Sequence, residues 1–139
     1  MAGLLPETAA WTQGEEMPSR TWKINWEENR IDGVLDGKEA LQQAALLALL
    51  TPRFRHLIYS FNYGSELESL IGRNRDYAAA AAPSMAEEAL SADNRFLEVK
   101  SGSFSAQRDY VKGSVSIKSG GGTVLVETVI GGRNGISSV

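Results

Sequence analysis

Residues 110–130 read YVKGSVSIKSGGGTVLVETVI, and the period within them decides the fold class. Val111, Val115 and Ile117 fall on one side of a two-residue repeat; Lys112, Ser114, Ser116 and Lys118 fall on the other. That alternation predicts a strand with one face on a core and one in water. Ser119 and the glycines at 120–122 supply a turn, and TVLVETVI at 123–130 predicts the returning strand. No helix start and no Lys-Ser/Thr pair follows the glycines, so they read as a hairpin loop and not as a phosphate cradle. The returning strand is apolar on both faces except at Glu127. Two readings of it stay open: a central strand, or one covered by a neighbour.

Upstream, residues 96–100 predict one more strand, and the segment before it is helical in character. Asp36 with Glu39, Ser65 with Glu68, and Ser84 with Glu87 each set a capping side chain three residues ahead of a glutamate. These capping boxes predict three helices, the first over 37–50, the second stopped by Gly72, and the third running to Leu90. Five alanines at 78–82 favour helix but offer little packing volume, and Pro83 is expected to interrupt. Residues 40–50 are apolar nearly all round, so more than one side of that helix should be covered. Nearer the start, Trp22, Ile24 and Trp26 alternate with Lys23 and Asn25, and 30–35 forms a second extended run beyond a polar turn. Together they predict an antiparallel hairpin with a half-buried face.

The order is β-β-α-α-α-β-β-β, an α+β fold with helices packed on a small antiparallel or mixed sheet. We expect one domain over 20–130, a flexible arm over 1–19 and a flexible tail over 131–139. In the arm, Trp11 either folds back on the domain or anchors a partner.

Composition narrows the chemistry. The 139 residues are 42% hydrophobic and 22% charged with a net charge of −3, so no basic field draws nucleic acid or an anionic membrane. There is no cysteine and one histidine, His56, which excludes a thiol nucleophile and thiolate or multi-histidine metal sites. No apolar run is long enough to span a membrane, and no secretory signal is expected, so the chain should start in a cytoplasm. His56 has no nucleophile at a telling spacing. A glycosidase needs two carboxylates flanking one bond. Glu66 and Glu68, two apart, point in different directions, and they and Glu87 with Glu88 are explained as helix-start charges. The residues therefore point to no catalytic, metal or cofactor site.

What composition leaves unexplained is residues 51–71, TPRFRHLIYSFNYGSELESLI. A turn between helices here carries Arg53, Arg55, His56, Tyr59, Phe61 and Tyr63. Arginine and tyrosine are enriched where proteins grip one another, so an interface and a solvated surface both fit.

Several pieces, in order, resemble the XkdS-like family of contractile phage tails and defective prophages. These are Pro-Ser-x-Thr-aromatic at 18–22, Arg-Ile-x-Gly-x-x-Asp-Gly at 30–37, Thr-x-Arg-Phe and Leu-Ile-Tyr-Ser within 51–60, and Asn-Tyr-Gly-x-Glu-Leu at 62–67. The resemblance covers about residues 18–130. That family is similar to the myophage baseplate wedge proteins once labelled acidic lysozymes. It implies a sheath-protein-like wedge fold in a structural, non-enzymatic subunit of a virion or tailocin baseplate, present in multiple copies and assembled in the bacterial cytoplasm. It also implies partners: other wedge proteins, and tail-sheath protein that shares a β-sheet with the subunit, with no nucleic acid or membrane. In the wedge group a Glu-Pro-Arg motif after the first long helix contacts the wedge core; here Thr51-Pro52-Arg53 keeps the Pro-Arg half and lacks the acid. The interface residues so expected are Arg53, Arg55, Tyr59, Phe61 and Tyr63 in the connection, with Val124 and Val126 on the last strand. The competing readings are a muralytic glycosidase and a cytoplasmic adaptor unrelated to phage.

Overall fold

The computed structural model describes residues 19–131 and 135–138. The expected arm, apart from Ser19, and residues 132–134 and 139 of the expected tail lie outside the described residues. The elements are β1 (Thr21–Asn25), β2 (Arg30–Leu35), α1 (Gly37–Leu50), a 3-10 turn (Leu67–Leu70), α2 (Arg75–Ser91), β3 (Glu98–Ala106), β4 (Tyr110–Ser119), β5 (Gly122–Gly131) and β6 (Ile136–Ser138). The class is α+β, with β1 and β2 as a separate hairpin and the other strands in an antiparallel sheet of order β3-β4-β5-β6.

The alternation within 110–130 builds the centre of that sheet. Val111, Val115 and Ile117 of β4 and Val124, Val126 and Ile130 of β5 are all buried beneath the helices, while Lys112, Lys118 and Leu125 face water. Each buried valine or isoleucine contributes about 1.5–3 kcal/mol of transfer free energy. The helices lie close to the sheet because their inward faces are small: Ala40, Ala45 and Ala48 on α1, and Ala78, Ala82, Ala86 and Ala89 on α2. The alanine run that seemed to lack packing volume is thus a contact surface, with shortness its useful property.

Three expectations about the helices need correction. Asp36 does cap α1, its carboxylate accepting from Gly37 N. Ser65 does not cap a helix; its hydroxyl donates to Leu49 O at 2.6 Å, satisfying a carbonyl left bare at the end of α1. The second helix is only a 3-10 turn without a side-chain cap. Pro83 lies inside α2, which is continuous for 17 residues and starts at Asn74, whose side chain accepts from Asp76 N and Tyr77 N. A proline costs one ladder bond, about 3 kcal/mol in an isolated helix. Buried Ala82 and Ala86, one on each side, hold the path regardless. Ser84 accordingly donates back to Ala81 O and caps nothing.

The strands differ from expectation as well. The hairpin pairs Trp22 with Val34 and Ile24 with Ile31 across a bulge, yet Trp22, Ile31 and Val34 are largely exposed, so its apolar face is not sunk in the core. Residues 136–138, placed in the expected tail, form β6 against 128–130 of β5. The two readings of β5 therefore resolve into a third. It is an inner strand over 128–130, and over 122–127 no described strand pairs with its outer side. Its outward face is open too, with Leu125 about half exposed.

Candidate protein-interaction site

Residues 53–64 form a closed loop whose ends are stitched together. Pro52 and Ser65 make a parallel bridge, with Arg53 N donating to Ser65 O at 3.0 Å and Ser65 N to Thr51 O at 2.9 Å. Gly64 makes this closure possible. Its φ is +101°, and a Cβ there would lie 2.7 Å from Thr51 O. Only glycine accepts both the backbone angle and the approach. A compact surface loop with adjacent ends is frequently a functional one.

The expected site residues take different places in this loop. Arg53 is turned inward, its side chain 10% exposed; Nη1 donates to Glu88 on α2 at 2.8 Å, and Nη2 donates to Gly64 O at 3.3 Å. Arg55 is exposed and pairs with Glu68 at 3.0 Å. Tyr63 is half-buried at the base, where burial first, then neighbouring Tyr59, pushes its phenol above the usual range. Tyr59 packs on it with ring centroids 4.5 Å apart, and His56 meets Tyr59 edge-on at 6.1 Å. Phe61 is exposed and leans on Phe54 at 6.2 Å. Aromatic contacts thus order the loop from its base outward.

The most exposed apolar residues are ones the sequence reading passed over. Leu57 is 98% exposed and Ile58 87%, flanked by exposed Phe54 and Phe61. Isolated surface leucines are ordinary, but four large apolar side chains exposed within residues 54–61 are a concentration of the kind that marks a binding site. The available signal was Leu57-Ile58 itself, an apolar pair with no helical or strand period around it to bury it.

Val124 and Val126 point the other way. Both side chains are buried against the helices, so β5 can meet a partner only through its main chain and its outward residues such as Leu125. The main chain is available on one side. Leu125 O points away from β4 and accepts from the side chain of Gln42 on α1 at 3.0 Å. In an antiparallel ladder the N–H and C=O of one residue point the same way, so the outward groups of β5 belong to Thr123, Leu125 and Glu127. The opposite edge is treated differently. β3 breaks register between Ser101 and Phe104, and Glu87 accepts from both Ser101 N (2.8 Å) and Ser101 Oγ (2.6 Å). These bonds hold the Glu87 carboxyl below its usual range. A bulge and an inward-turned charge are standard protections for an edge strand.

The carboxylates have structural employment. Glu68 serves Arg55, Glu87 closes β3 and Glu88 serves Arg53. Glu87 and Glu88 sit well inside α2, so the helix-start explanation given for them does not hold. Among the described residues no group of three His, Cys, Asp or Glu could hold a metal, and no helix is long and apolar enough to cross a membrane.

Comparison with known proteins agrees with an assembly role. Residues 20–121 match the family described as contractile injection system sheath initiator. The chain is also 34% identical over 117 residues to the phage-like element PBSX protein XkdS of Bacillus subtilis (strain 168), covering 81% of this chain and 83% of that protein. The match spans the hairpin, both helices, the closed loop and the β3–β4 pair. The chain belongs to the family of contractile injection system sheath initiators.

Proposed function

We propose that this protein is a baseplate wedge subunit that starts the tail sheath by lending it a strand edge. The carrying observation is the asymmetry of the sheet: β3 is bulged and closed by Glu87, while over 122–127 no described strand pairs with the outer side of β5, where Leu125 O takes a bond from the exposed Gln42 side chain. A strand added there gains main-chain hydrogen bonds with every second residue, the economy of β-augmentation. The patch of Phe54, Leu57, Ile58 and Phe61 is the second contact, seating the subunit on other wedge proteins by apolar burial. With both surfaces engaged, multiple copies around a baseplate would set the register of the first sheath ring. No step of this requires a catalytic group or a cofactor.

The test is reconstitution with the sheath and wedge proteins of the same contractile system. Omitting the chain should leave baseplates that do not nucleate sheath, as seen by electron microscopy, and adding it back should restore sheathed particles. Normal sheathing without it would refute the proposal. Conversion of purified peptidoglycan by the protein alone would revive the glycosidase reading.

A further inference from the structure

The end of the sheet where β4 begins and β5 finishes carries a hollow of about 230 Å³, lined by arginines from three places in the chain. Arg73 follows the 3-10 turn, Arg75 is the first residue of α2, and Arg108 sits between β3 and β4. All three are exposed, and among the described residues none of them makes an ion pair or a side-chain hydrogen bond. Asp109 lines the same hollow, one carboxylate against three guanidinium groups, and pairs with none of them. Helix stability does not account for this charge, because the start of α2 is its positive end, where a cation is repelled. The first amides of α2 already have a partner: Asn74 Oδ1 accepts from Asp76 N at 2.8 Å. What the hollow offers is therefore the arginine side chains, whose planar forks suit carboxylates.

The complementary charge is in this chain. Residues 1–18 contain Glu7, Glu15 and Glu16 and no lysine or arginine, and two of those glutamates are adjacent. The adjacent pair cannot reach the hollow of its own copy. Thr21 pairs with Leu35, just ahead of α1, and the start of α1 lies at the β4–β5 turn, where Lys38 sits against Gly122. The hollow is at the other end of β5, beside Ile130 and Gly131. Gly122 and Ile130 are separated by about 26 Å of extended strand. Glu16 stands five residues before Thr21 and extends at most about 18 Å from it. We propose that Glu15 and Glu16 of one copy enter the arginine hollow of a second copy, a head-to-tail contact. Its two sides are different surfaces, so repetition builds a ring where the rotation closes and a filament where it does not. This contact is separate from the sheath and wedge contacts proposed above and depends on neither.

The experiment is sedimentation velocity of the full chain over a range of concentrations, at about 0.05 M and about 0.5 M salt. Association beyond the dimer is expected at low salt, weakened about tenfold or more at high salt, where exposed charges are screened. Glu15→Gln with Glu16→Gln should be monomeric, and so should Arg73→Gln with Arg75→Gln and Arg108→Gln, each folded like the parent by circular dichroism. Mixed in equal amounts, the two variants should form a dimer that grows no further, because each keeps one half of the contact. Should the triple substitution misfold, Arg108→Gln alone, in an exposed turn, should still weaken association severalfold. A parent chain that stays monomeric at low salt up to about 1 mM overturns the proposal, and so does a mixture of folded variants that stays monomeric. Loss of association in the arginine variant but not in the glutamate variant would give the hollow to a different acid and overturn it as well. Each of these failures leaves the function proposed above standing, since sheath nucleation is read separately in the reconstitution.

Discussion

Arg53 and Glu88 meet at 2.8 Å across 35 residues of chain, tying the base of the closed loop to the last turn of α2. The two partners are unequal. The Arg53 side chain is 10% exposed, with Nη2 on Gly64 O and a buried Nε that makes no hydrogen bond among the described residues, whereas the Glu88 side chain is 64% exposed. An ion pair with one end in water is worth at most about 1 kcal/mol, while truncating a buried, hydrogen-bonded arginine costs about 1.5–3 kcal/mol. Arg53→Ala should therefore lower stability by about 1.5–3 kcal/mol and Glu88→Gln by less than about 1 kcal/mol, read from urea midpoints. Equal losses would mean that the ion pair, and not the burial of Arg53, carries the effect.

Closure of the loop depends on Gly64. Gly64→Ala introduces a left-handed strain and pushes Cβ to 2.7 Å from Thr51 O. It should cost about 1–3 kcal/mol from backbone strain, with a further loss if the Pro52–Ser65 bridge opens. Proteolysis within 53–64 should then accelerate more than proteolysis elsewhere. A uniform change along the chain would indicate general unfolding instead.

How much of this was legible beforehand depended on how local the cause was. The β4–β5 hairpin and its core face follow from alternation and glycine, both local signals, and the structure has them. The helix ends were misread because Ser65 and Ser84 match a capping pattern while their hydroxyls bond Leu49 O and Ala81 O. A capping motif names two residues, but tertiary contacts decide which carbonyl or amide they meet. Arg53 was expected at an interface; in the fold its side chain turns inward to an acid, Glu88, that a helix 35 residues away supplies. The missing acid before Pro52 has its own explanation: Thr51 Oγ1 donates to Leu47 O at 2.7 Å and helps end α1. The bond from Gln42 to Leu125 O spans 83 residues and left no sequence trace at all.

Leu57 and Ile58 give the cleanest separation of stability from assembly. Both are almost fully exposed, so Leu57→Asp with Ile58→Asp should move the unfolding free energy by no more than about 0.5 kcal/mol each. If the loop seats the subunit on its wedge partners, the same pair should lower co-purification with them by tenfold or more. Unchanged co-purification would remove the loop from the interface.

Acid should act through Asp93. Burial alone would raise its carboxyl, but the side-chain and backbone hydrogen bonds from Arg95 and its charge more than offset this, leaving the carboxyl below its usual range. The Arg95 Nη2–Asp93 Oδ2 distance is 2.6 Å. A depressed carboxyl contributes stability that is present above its unfolded value, about 3.9, and lost as pH falls through the lower folded value. Asp93→Asn should therefore be less stable than the parent at pH 6 and converge on it as pH drops below about 3.9. Parallel curves down to pH 2 would show that the contact stabilises by packing and not by charge.

Val126 and Leu125 separate core from edge within a single strand. Val126 is 2% exposed, so Val126→Lys buries an unpaired charge and should unfold the domain whether or not β5 is an edge. Leu125 is the sharper probe. Its carbonyl points away from β4 toward Gln42, so its N–H also points outward, and proline there removes a donor that the β4–β5 ladder does not use. Leu125→Pro should leave a folded protein by circular dichroism, somewhat less stable because φ is forced toward −65°. The same substitution should abolish sheath nucleation, since an added strand would find no donor at the centre of the open segment. A folded Leu125→Pro protein that still nucleates sheath would move the sheath contact off β5.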